Sequence, residues 1–341
     1  MSAARPLPDT SAVDRTALHN FAALRGQLRV SLTPRCNIAC FFCHNEDDVP
    51  PLLTRTDRSQ QPRARAYRAE DFLAVIAAMT AAGVKRVYFT GGEPLSSPVA
   101  QEVLTALPPS GVDCSYTLIT NGTRVRTHQE WLARAPLDKV KVSLHYFSDE
   151  SLHSIAGTRI GIGRVLGGIA ACQEMFERVE LNCLMLKQNV HELESILRFA
   201  LARRLPIQFI EMVPTEFNDV REDPAVSAER IIAHLRTLTQ DEHIEVAGVG
   251  QGRRIFRVDG VEIDVIQRSL GRHHVGQCGS CPVRSRCVEG FWALRADHAG
   301  GIQPCLLRGD LRLDVRDLVK EPHRLGAAVA QHIARFTEGT L

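Results

Sequence analysis

The chain has 341 residues, 44% of them hydrophobic, and a formal net charge of +2. That length accommodates one large α/β domain with an appendage or two domains, and the composition argues against wholesale disorder. The small charge gives no indication of a nucleic-acid polymer or a membrane as partner, no apolar run approaches the ~20 residues of a membrane span, and the first residues lack the apolar core of a signal peptide. We therefore expect a cytoplasmic protein.

Short apolar runs alternate with helical patterns over the first two thirds of the chain. Predicted strands cover residues 28–33, 86–91, 115–121, 139–146, 179–186 and 207–213. Predicted helices cover residues 69–83, 97–107, 163–176 and 190–204. This alternation predicts parallel βα units with right-handed crossovers. Six units favour an α/β fold with an open or partial (β/α)6 barrel of the TIM type over a closed eight-fold barrel.

Beyond residue 215 the βα alternation fades into a helix near 226–238 and a β-rich stretch at 253–269. We accordingly divide the chain into an N-terminal tail (1–25), a partial barrel (26–215) and a C-terminal extension (216–341). Residues 47–68 are rich in proline and arginine without any period. This segment is either a lid over a site or a solvated insertion.

The ten cysteines are clustered, and in a reducing compartment a disulfide framework is not expected. The first group follows the first predicted strand at C-x3-C-x2-C spacing and comprises Cys36, Cys40 and Cys43. The second group lies near the C-terminus and comprises Cys278, Cys281, Cys287 and Cys305. The remaining three have apolar neighbours, which favours a role as small buried hydrophobes: Cys114, Cys172 and Cys183.

The first cysteine group is placed where barrel active sites assemble, on the loop at the carboxyl end of a strand. Cysteines so closely spaced bind zinc or an iron–sulfur cluster. A 4Fe–4S cube has four irons, so three cysteines leave one iron able to bind an outside ligand. A zinc knuckle is the alternative.

The same spacing resembles the signature of the radical S-adenosylmethionine (SAM) superfamily, and "TGGEP" at 90–94 matches the loop after its second strand. In that superfamily SAM chelates the open iron, and a 5′-deoxyadenosyl radical released from SAM abstracts hydrogen from the substrate. The resemblance implies a flavodoxin- or ferredoxin-type electron donor. It also implies contacts with SAM for Phe42, Gly91, Gly92, Glu93 and Ser143.

A nearer resemblance, over roughly residues 26–315, is to the GTP 3′,8-cyclase family of molybdenum-cofactor biosynthesis. It is carried by "LRVSLTPRCNIAC", "VKVSLHYFSDESLHSIAGT", "IQFIEMVP" and the segment that begins "CGSC". In that family three C-terminal cysteines hold an auxiliary 4Fe–4S cluster whose open iron contacts the substrate, and Cys278, Cys281 and Cys305 match them. An insertion here adds Cys287, which either closes the cluster or stays free. Zinc is the alternative for this site.

The expected substrate contacts depart from that family. Arg29 matches a GTP-contacting arginine, but Tyr88, Ile119 and Glu180 stand where the family has arginine, threonine and lysine, and the Gly-Gly tail is absent. A triphosphate needs several cations, and each lost contact is worth ~1.5–3 kcal/mol. We therefore expect a nucleoside or sugar-like small molecule, with Tyr88 and Glu180 meeting amine, amide or hydroxyl groups. The alternatives to a role in substrate binding are simple packing for Tyr88 and a surface charge for Glu180.

Three arginines remain near the second cysteine group as candidate substrate contacts: Arg284, Arg286 and Arg295. His145 and Tyr146, at the end of the fourth predicted strand, are candidates to donate or relay a proton, with loop packing as the alternative. Cyclisation of GTP, modification of a ribosomally made peptide and a non-enzymatic iron–sulfur protein are the other functions that the sequence leaves open.

Overall fold

A computed structural model describes residues 16–43, 66–111, 114–212, 225–246, 252–270, 273–282, 284, 287 and 289–340. Most of the predicted lid segment, residues 47–65, lies outside these ranges, and so does Arg286. Within them, none of the helices combines the length and the apolar character that crossing a bilayer requires.

Six parallel strands in chain order form the centre of one sheet. They are β1 (Gln27–Ser31), β2 (Arg86–Thr90), β3 (Ser115–Thr120), β4 (Lys139–Ser143), β5 (Val179–Met185) and β6 (Ile207–Glu211). The helices between them are α2 (Ala69–Ala81), α3 (Ala100–Thr105), α4 (Gln129–Leu132), α5 (Asp149–Ala156), α6 (Ile162–Met175) and α7 (Leu193–Ala202). Each neighbouring strand pair is parallel, which confirms the predicted partial (β/α)6 barrel.

The C-terminal third extends this sheet at both edges. Next to β6 lie β9 (Val261–Ile266), β8 (Arg253–Val258) and β7 (Glu242–Glu245); next to β1 lie β10 (Ala293–Ala296), β11 (Gly301–Gln303) and β12 (Leu313–Asp314). The other helices are α1 (Thr16–Ala23), α8 (Glu229–Leu238) and α9 (Pro322–Thr337). The predicted helix near 226–238 is thus α8. The division of the chain at residue 215 stays a prediction.

Side chains alternate along the strands between an apolar face and a polar one. On β2, Val87 and Phe89 are fully buried, and they belong to the core that also contains the apolar sides of the helices. On the opposite, inner face of the barrel, β1 and β2 present Arg29 and Tyr88 side by side. Because alternate residues of a strand point to opposite faces, the inner surface is lined by polar side chains.

The fourth strand is shorter than predicted. β4 ends at Ser143, so His145 and Tyr146 lie in the loop that leads to α5. Helix α5, which the sequence analysis missed, begins after Ser148, whose hydroxyl accepts a hydrogen bond from the Ser151 amide.

Candidate active site at the carboxyl end of the barrel

The loop that carries the first cysteine group packs directly on the Gly-Gly-Glu-Pro loop. The amide of Gly92 donates to the carbonyl of Thr33 at 2.7 Å, and the amide of Glu93 donates to the carbonyl of Arg35 at 2.8 Å. A Cβ on Gly91 would lie 2.5 Å from the Thr33 carbonyl, and one on Gly92 would lie 2.2 Å from the Arg35 carbonyl. Both glycines are therefore required by backbone approach to the cysteine loop, and a contact with SAM for either stays a prediction.

Glu93 is a buried bridge between loops, with 1% of its surface exposed. Its carboxylate accepts hydrogen bonds from the Leu95 amide (3.1 Å), the Thr120 hydroxyl (2.7 Å) and the Asn121 amide (2.8 Å). Burial raises the pKa of Glu93, and these donors oppose that rise. The carboxylate thus ties the Gly-Gly-Glu-Pro loop to the end of β3. Its expected contact with SAM stays a prediction.

Asn121, which the sequence analysis did not single out, connects the end of β3 to the cysteine loop. Its side-chain amide donates to Asn37 Oδ1 at 3.0 Å and lies 3.8 Å from Cys36 Sγ, within hydrogen-bond reach of sulfur. Its Oδ1 accepts from the hydroxyl of Thr123 at 2.6 Å. The signal was available as "TNGT" directly after the third predicted strand, where loop residues of a barrel gather.

The cysteine loop is also anchored to α5. The amides of Ala39 and Phe41 donate to the carbonyls of Ala156 and Ile155 at 2.8 and 3.1 Å. The last carbonyls of a helix have no partner within the helix, so this contact satisfies them and fixes the loop.

The three thiols of the cysteine loop lie near one another, and such a donor set fits an iron–sulfur cluster. Burial, with smaller contributions from Glu93 and Cys43, raises the pKa of Cys36 to about 12, and burial together with the neighbouring cysteines raises that of Cys40 well above its usual value. Such thiols become thiolates only beside strong positive charge, which bound iron supplies. Across the described part of the chain, no three side chains of His, Cys, Asp or Glu converge as around a single metal ion.

His145 faces Phe42, the aromatic residue between the last two cysteines of the loop. The ring centroids are 5.0 Å apart and the rings are perpendicular. The amide of Leu184 donates to His145 Nδ1 at 2.9 Å, and burial lowers the pKa of His145 to about 4. The ring is therefore neutral at physiological pH with its proton on Nε2, because Nδ1 is occupied as an acceptor. His145 can donate a hydrogen bond, but it is not an imidazolium acid.

Ser143, the last residue of β4, is the register neighbour of Asn182 in the middle of β5, and both lie on the inner face. Asn182 Oδ1 is buried and has no hydrogen-bond partner among the residues that the structure describes. The pair is thus available to a polar ligand above the inner face, where the expected contact of Ser143 with SAM stays a prediction.

Deeper in the barrel, the inner face carries a cluster of arginines and aromatic rings. Arg295 on β10 is the register neighbour of Arg29 on β1, which is the neighbour of Tyr88 on β2. The guanidinium carbon of Arg29 lies 5.9 Å from the Tyr88 ring and 5.5 Å from the Trp292 ring, and that of Arg295 lies 5.2 Å from Trp292. Tyr88 therefore contributes to a cation–π cluster as well as to packing. Arg295 also forms a buried ion pair with Glu289 at 2.9 Å.

Glu180 lies on the same inner face and is paired with two lysines. Both Lys139 and Lys141 on β4 form ion pairs with its carboxylate, the second at 3.0 Å. Burial alone would raise the pKa of Glu180, but Lys141 and Lys139 overcome this effect and lower it. Glu180 is thus not a lone negative charge, and Ile119, the register neighbour of Lys141, lies beside the same pair.

The four C-terminal cysteines line one cavity. Cys278, Cys281, Cys287 and Cys305 surround it together with Arg284 and Arg308. The amide of Leu307 donates to Cys305 Sγ at 3.4 Å, and Arg308 donates to Cys281 Sγ at 3.8 Å. Four thiols around one cavity, two of them accepting hydrogen bonds, fit a cluster held by cysteine thiolates. Arg284 donates a hydrogen bond to the Cys278 carbonyl at 3.1 Å and so stabilises the backbone next to this cysteine.

The remaining cysteines are packing residues. Cys172 and Cys183 are buried, as predicted, and Cys114 is half-buried.

The profile of the radical SAM superfamily matches residues 30–200, which include the end of β1, the cysteine loop and strands β2 to β5. The chain therefore belongs to the radical SAM superfamily, and its cofactors are a 4Fe–4S cluster and SAM. Within that superfamily it is similar to proteins named as GTP 3′,8-cyclases. A probable GTP 3′,8-cyclase of Pyrococcus abyssi is 30% identical over 325 residues, 92% of this chain and 94% of that protein. GTP 3′,8-cyclase 2 of Pseudomonas aeruginosa is 34% identical over 319 residues, 89% of this chain and 86% of that protein.

Solved structures agree on the fold. The structure of native anSMEcpe with bound AdoMet aligns with a TM-score of 0.58 at 13% identity, covering 92% of this chain and 83% of that one. SuiB of Streptococcus suis aligns with a TM-score of 0.58 at 13% identity, covering 91% of this chain and 71% of that one. At such identities the likeness concerns the fold alone. A non-enzymatic iron–sulfur protein is set aside by the family membership, while an auxiliary cluster in the C-terminal cavity fits the GTP 3′,8-cyclase relatives.

Proposed function

We propose that this radical SAM enzyme acts on a nucleotide and that GTP, cyclised between its ribose and its base, is the first substrate to test. The relatives that match nine tenths of the chain are named for that reaction. The observation in the structure that carries the proposal is the basic inner face of the barrel, on which Arg29 and Arg295 lie side by side.

Four basic side chains lie on this face, and three of them are already ion-paired, Arg295 with Glu289 and the two lysines with Glu180. Arg29 and Arg295 are neighbours across β1 and β10, and Lys139 and Lys141 extend from β4. Arg86, one inner position before Tyr88, adds a fifth, and its buried Nε has no hydrogen-bond partner within the described ranges. Several guanidinium and ammonium groups on one surface are what recognition of a triphosphate requires.

The pairing of Glu180 alters the expectation drawn from its sequence position. Two lysines and one glutamate leave a net single positive charge at this point of the barrel. The position therefore still attracts an anion, although less strongly than an unpaired lysine would. The net positive charge is compatible with GTP as substrate, whereas the replacement of the family's lysine by Glu180, taken alone, argued against it.

When bound, the cluster and SAM supply a 5′-deoxyadenosyl radical able to remove a hydrogen atom from carbon. The residues of the chain do the remaining work. Cys36, Cys40 and Cys43 hold the cluster, and Asn121 supports Cys36. His145 presents a neutral Nε2–H near Phe42, and the inner-face cations orient the substrate.

A second candidate is a nucleoside or sugar-like substrate without a triphosphate. Tyr88 and Ile119 favour it, because neither side chain carries the positive charge that phosphate attracts, and the Tyr88 ring already makes a cation–π contact with Arg29. Such a substrate would place an amine or hydroxyl groups against Glu180.

One experiment separates the two candidates. The anaerobically reconstituted protein is incubated with SAM, a reductant and either GTP or guanosine, and products are identified by mass spectrometry. Formation of a cyclised isomer from GTP alone supports the first candidate. SAM cleavage without any change of GTP contradicts it, and turnover of a phosphate-free nucleoside then supports the second. A flavodoxin- or ferredoxin-type donor and a cytoplasmic location stay predictions.

A further inference from the structure

Tyr146 is a buried residue whose hydroxyl lacks a partner in the protein. It follows Ser143 by three residues, in the loop between β4 and α5, and its side chain is 0% exposed. The hydroxyl oxygen has no hydrogen-bond partner among the residues that the structure describes. A buried hydroxyl left without a partner destabilises the folded protein, and phenylalanine would fill the same space without that cost.

The surroundings of this hydroxyl point to the cluster site. Its ring lies beside that of His145, with centroids 6.2 Å apart, and His145 in turn contacts Phe42 of the cysteine loop. Helix α5, which follows Tyr146, anchors the same loop through Ala39 and Phe41. Besides burial, which has the largest effect, the groups that raise the pKa of Tyr146 are Cys40, Cys36 and Glu93. Each of them is an anion when ionised, so groups able to accept a hydrogen bond lie near Tyr146.

We propose that the Tyr146 hydroxyl donates a hydrogen bond to the thiolate sulfur of Cys40 in the cluster-loaded enzyme. Tyr146 is then a positioning residue that tunes the cluster, and not a proton relay. The inference deepens the proposed function, on whose radical SAM chemistry it rests, but it does not depend on the identity of the substrate.

A hydrogen bond to a cluster sulfur changes the reduction potential. The donor stabilises the reduced cluster more than the oxidised one, because reduction adds negative charge to the sulfurs. Removing the donor therefore lowers the potential and makes the electron transfer that precedes SAM cleavage harder.

The chain offers a matched control. Tyr67 is also buried, and its hydroxyl likewise has no partner in the described part of the chain. The anionic groups around it are Asp71, Asp297 and Asp314, with no cysteine among them. Tyr67→Phe thus removes a comparable hydroxyl away from the cluster.

The test is the midpoint potential of the SAM-responsive cluster, measured by redox titration with electron paramagnetic resonance on reconstituted protein. Y146F is expected to bind the same amount of iron as the wild type and to show a lower midpoint potential, whereas Y67F shows no shift. An unshifted potential in Y146F, or an equal shift in Y67F, overturns the inference. So does a large loss of stability of cluster-free Y146F, since that would reveal a partner within the protein. No substrate is added, so failure of GTP as substrate leaves this result unaffected.

Discussion

A methyl group added at Gly92 is expected to disrupt the SAM-binding cluster. In Gly92→Ala the new Cβ would lie 2.2 Å from the Arg35 carbonyl oxygen and 2.8 Å from the Cys36 amide nitrogen, both of them backbone atoms that cannot rotate away. Overpacking of this kind costs about 1–3 kcal/mol. Displacing Arg35 also breaks its hydrogen bond with the Glu93 amide, worth about 1 kcal/mol. Because Cys36 is the residue next to Arg35, the displacement moves a cluster ligand.

The assay is iron content and absorption near 400 nm after anaerobic reconstitution, together with urea unfolding. G92A should lose one cluster's share of iron and be destabilised by about 2–4 kcal/mol. Gly163→Ala is the control, since nothing lies within 4 Å of the Cβ that alanine would add at this position of helix α6. That change should retain all iron and gain about 0.4–1 kcal/mol. Full iron binding and wild-type stability in G92A would refute the argument that the two loops are in tight contact.

Three further outcomes are expected. Glu180→Gln releases Lys139 and Lys141 from their ion pairs, so it should tighten binding of GTP about tenfold, or ~1.4 kcal/mol, in equilibrium binding; weaker binding would mean that Glu180 itself contacts the nucleotide. Cys287→Ala should preserve the SAM-responsive cluster signal and alter that of the auxiliary cluster, because Cys287 lines the same cavity as the other three thiols; an unaltered auxiliary signal would show that Cys287 is not a ligand. Glu242, with a pKa lowered to about 2 by its hydrogen bond from Arg236, should stabilise the fold above pH ~4.3 and lose that effect as the pH falls toward 2. Glu242→Gln should therefore lower the free energy of unfolding relative to the wild type at pH 7, and the difference between the two proteins should shrink at pH 3. A difference that grew on acidification would contradict this prediction.

The barrel and the cysteine loop were predictable because their signals are local. The alternation of apolar residues that predicts each strand is visible within a few consecutive positions. The spacing of Cys36, Cys40 and Cys43 is likewise contained in a single loop. The loop after a parallel strand lies at the active end of a barrel whatever the rest of the chain does. The family resemblance added the role of the Gly-Gly-Glu-Pro loop, and the structure showed that its glycines pack against backbone.

The charge state of the inner face was not predictable, since it depends on strand register. Glu180 appears as an isolated acidic change in the sequence, but β4 and β5 align Lys141 directly with it. The tautomer of His145 likewise depends on the amide of Leu184, which lies 39 positions further along the chain. Contacts of this kind arise only once the strands are paired, so they cannot be predicted from residue type and spacing in the sequence.

The end of β4 shows the same limit on a smaller scale. Polar and apolar residues alternate without a break over residues 139–146, so the pattern predicted that His145 and Tyr146 belong to the strand. Asn189 holds the loop instead, since its side-chain amide donates to the carbonyls of His145 and Leu184, both at 2.7 Å. This buried bridge places Tyr146 away from the strand.

The transfer of deuterium from GTP to 5′-deoxyadenosine tests the central claim most directly. The protein reconstituted with iron and sulfide is incubated with SAM, a reductant and GTP deuterated at C3′, the carbon that must lose hydrogen for a 3′,8 bond to form. The account predicts deuterium in the 5′-deoxyadenosine, and none of this product from a variant in which Cys36, Cys40 and Cys43 are alanine. Unlabelled 5′-deoxyadenosine from the wild type would contradict GTP as the substrate, and the absence of 5′-deoxyadenosine under every condition would contradict the assignment of radical chemistry to this cysteine loop.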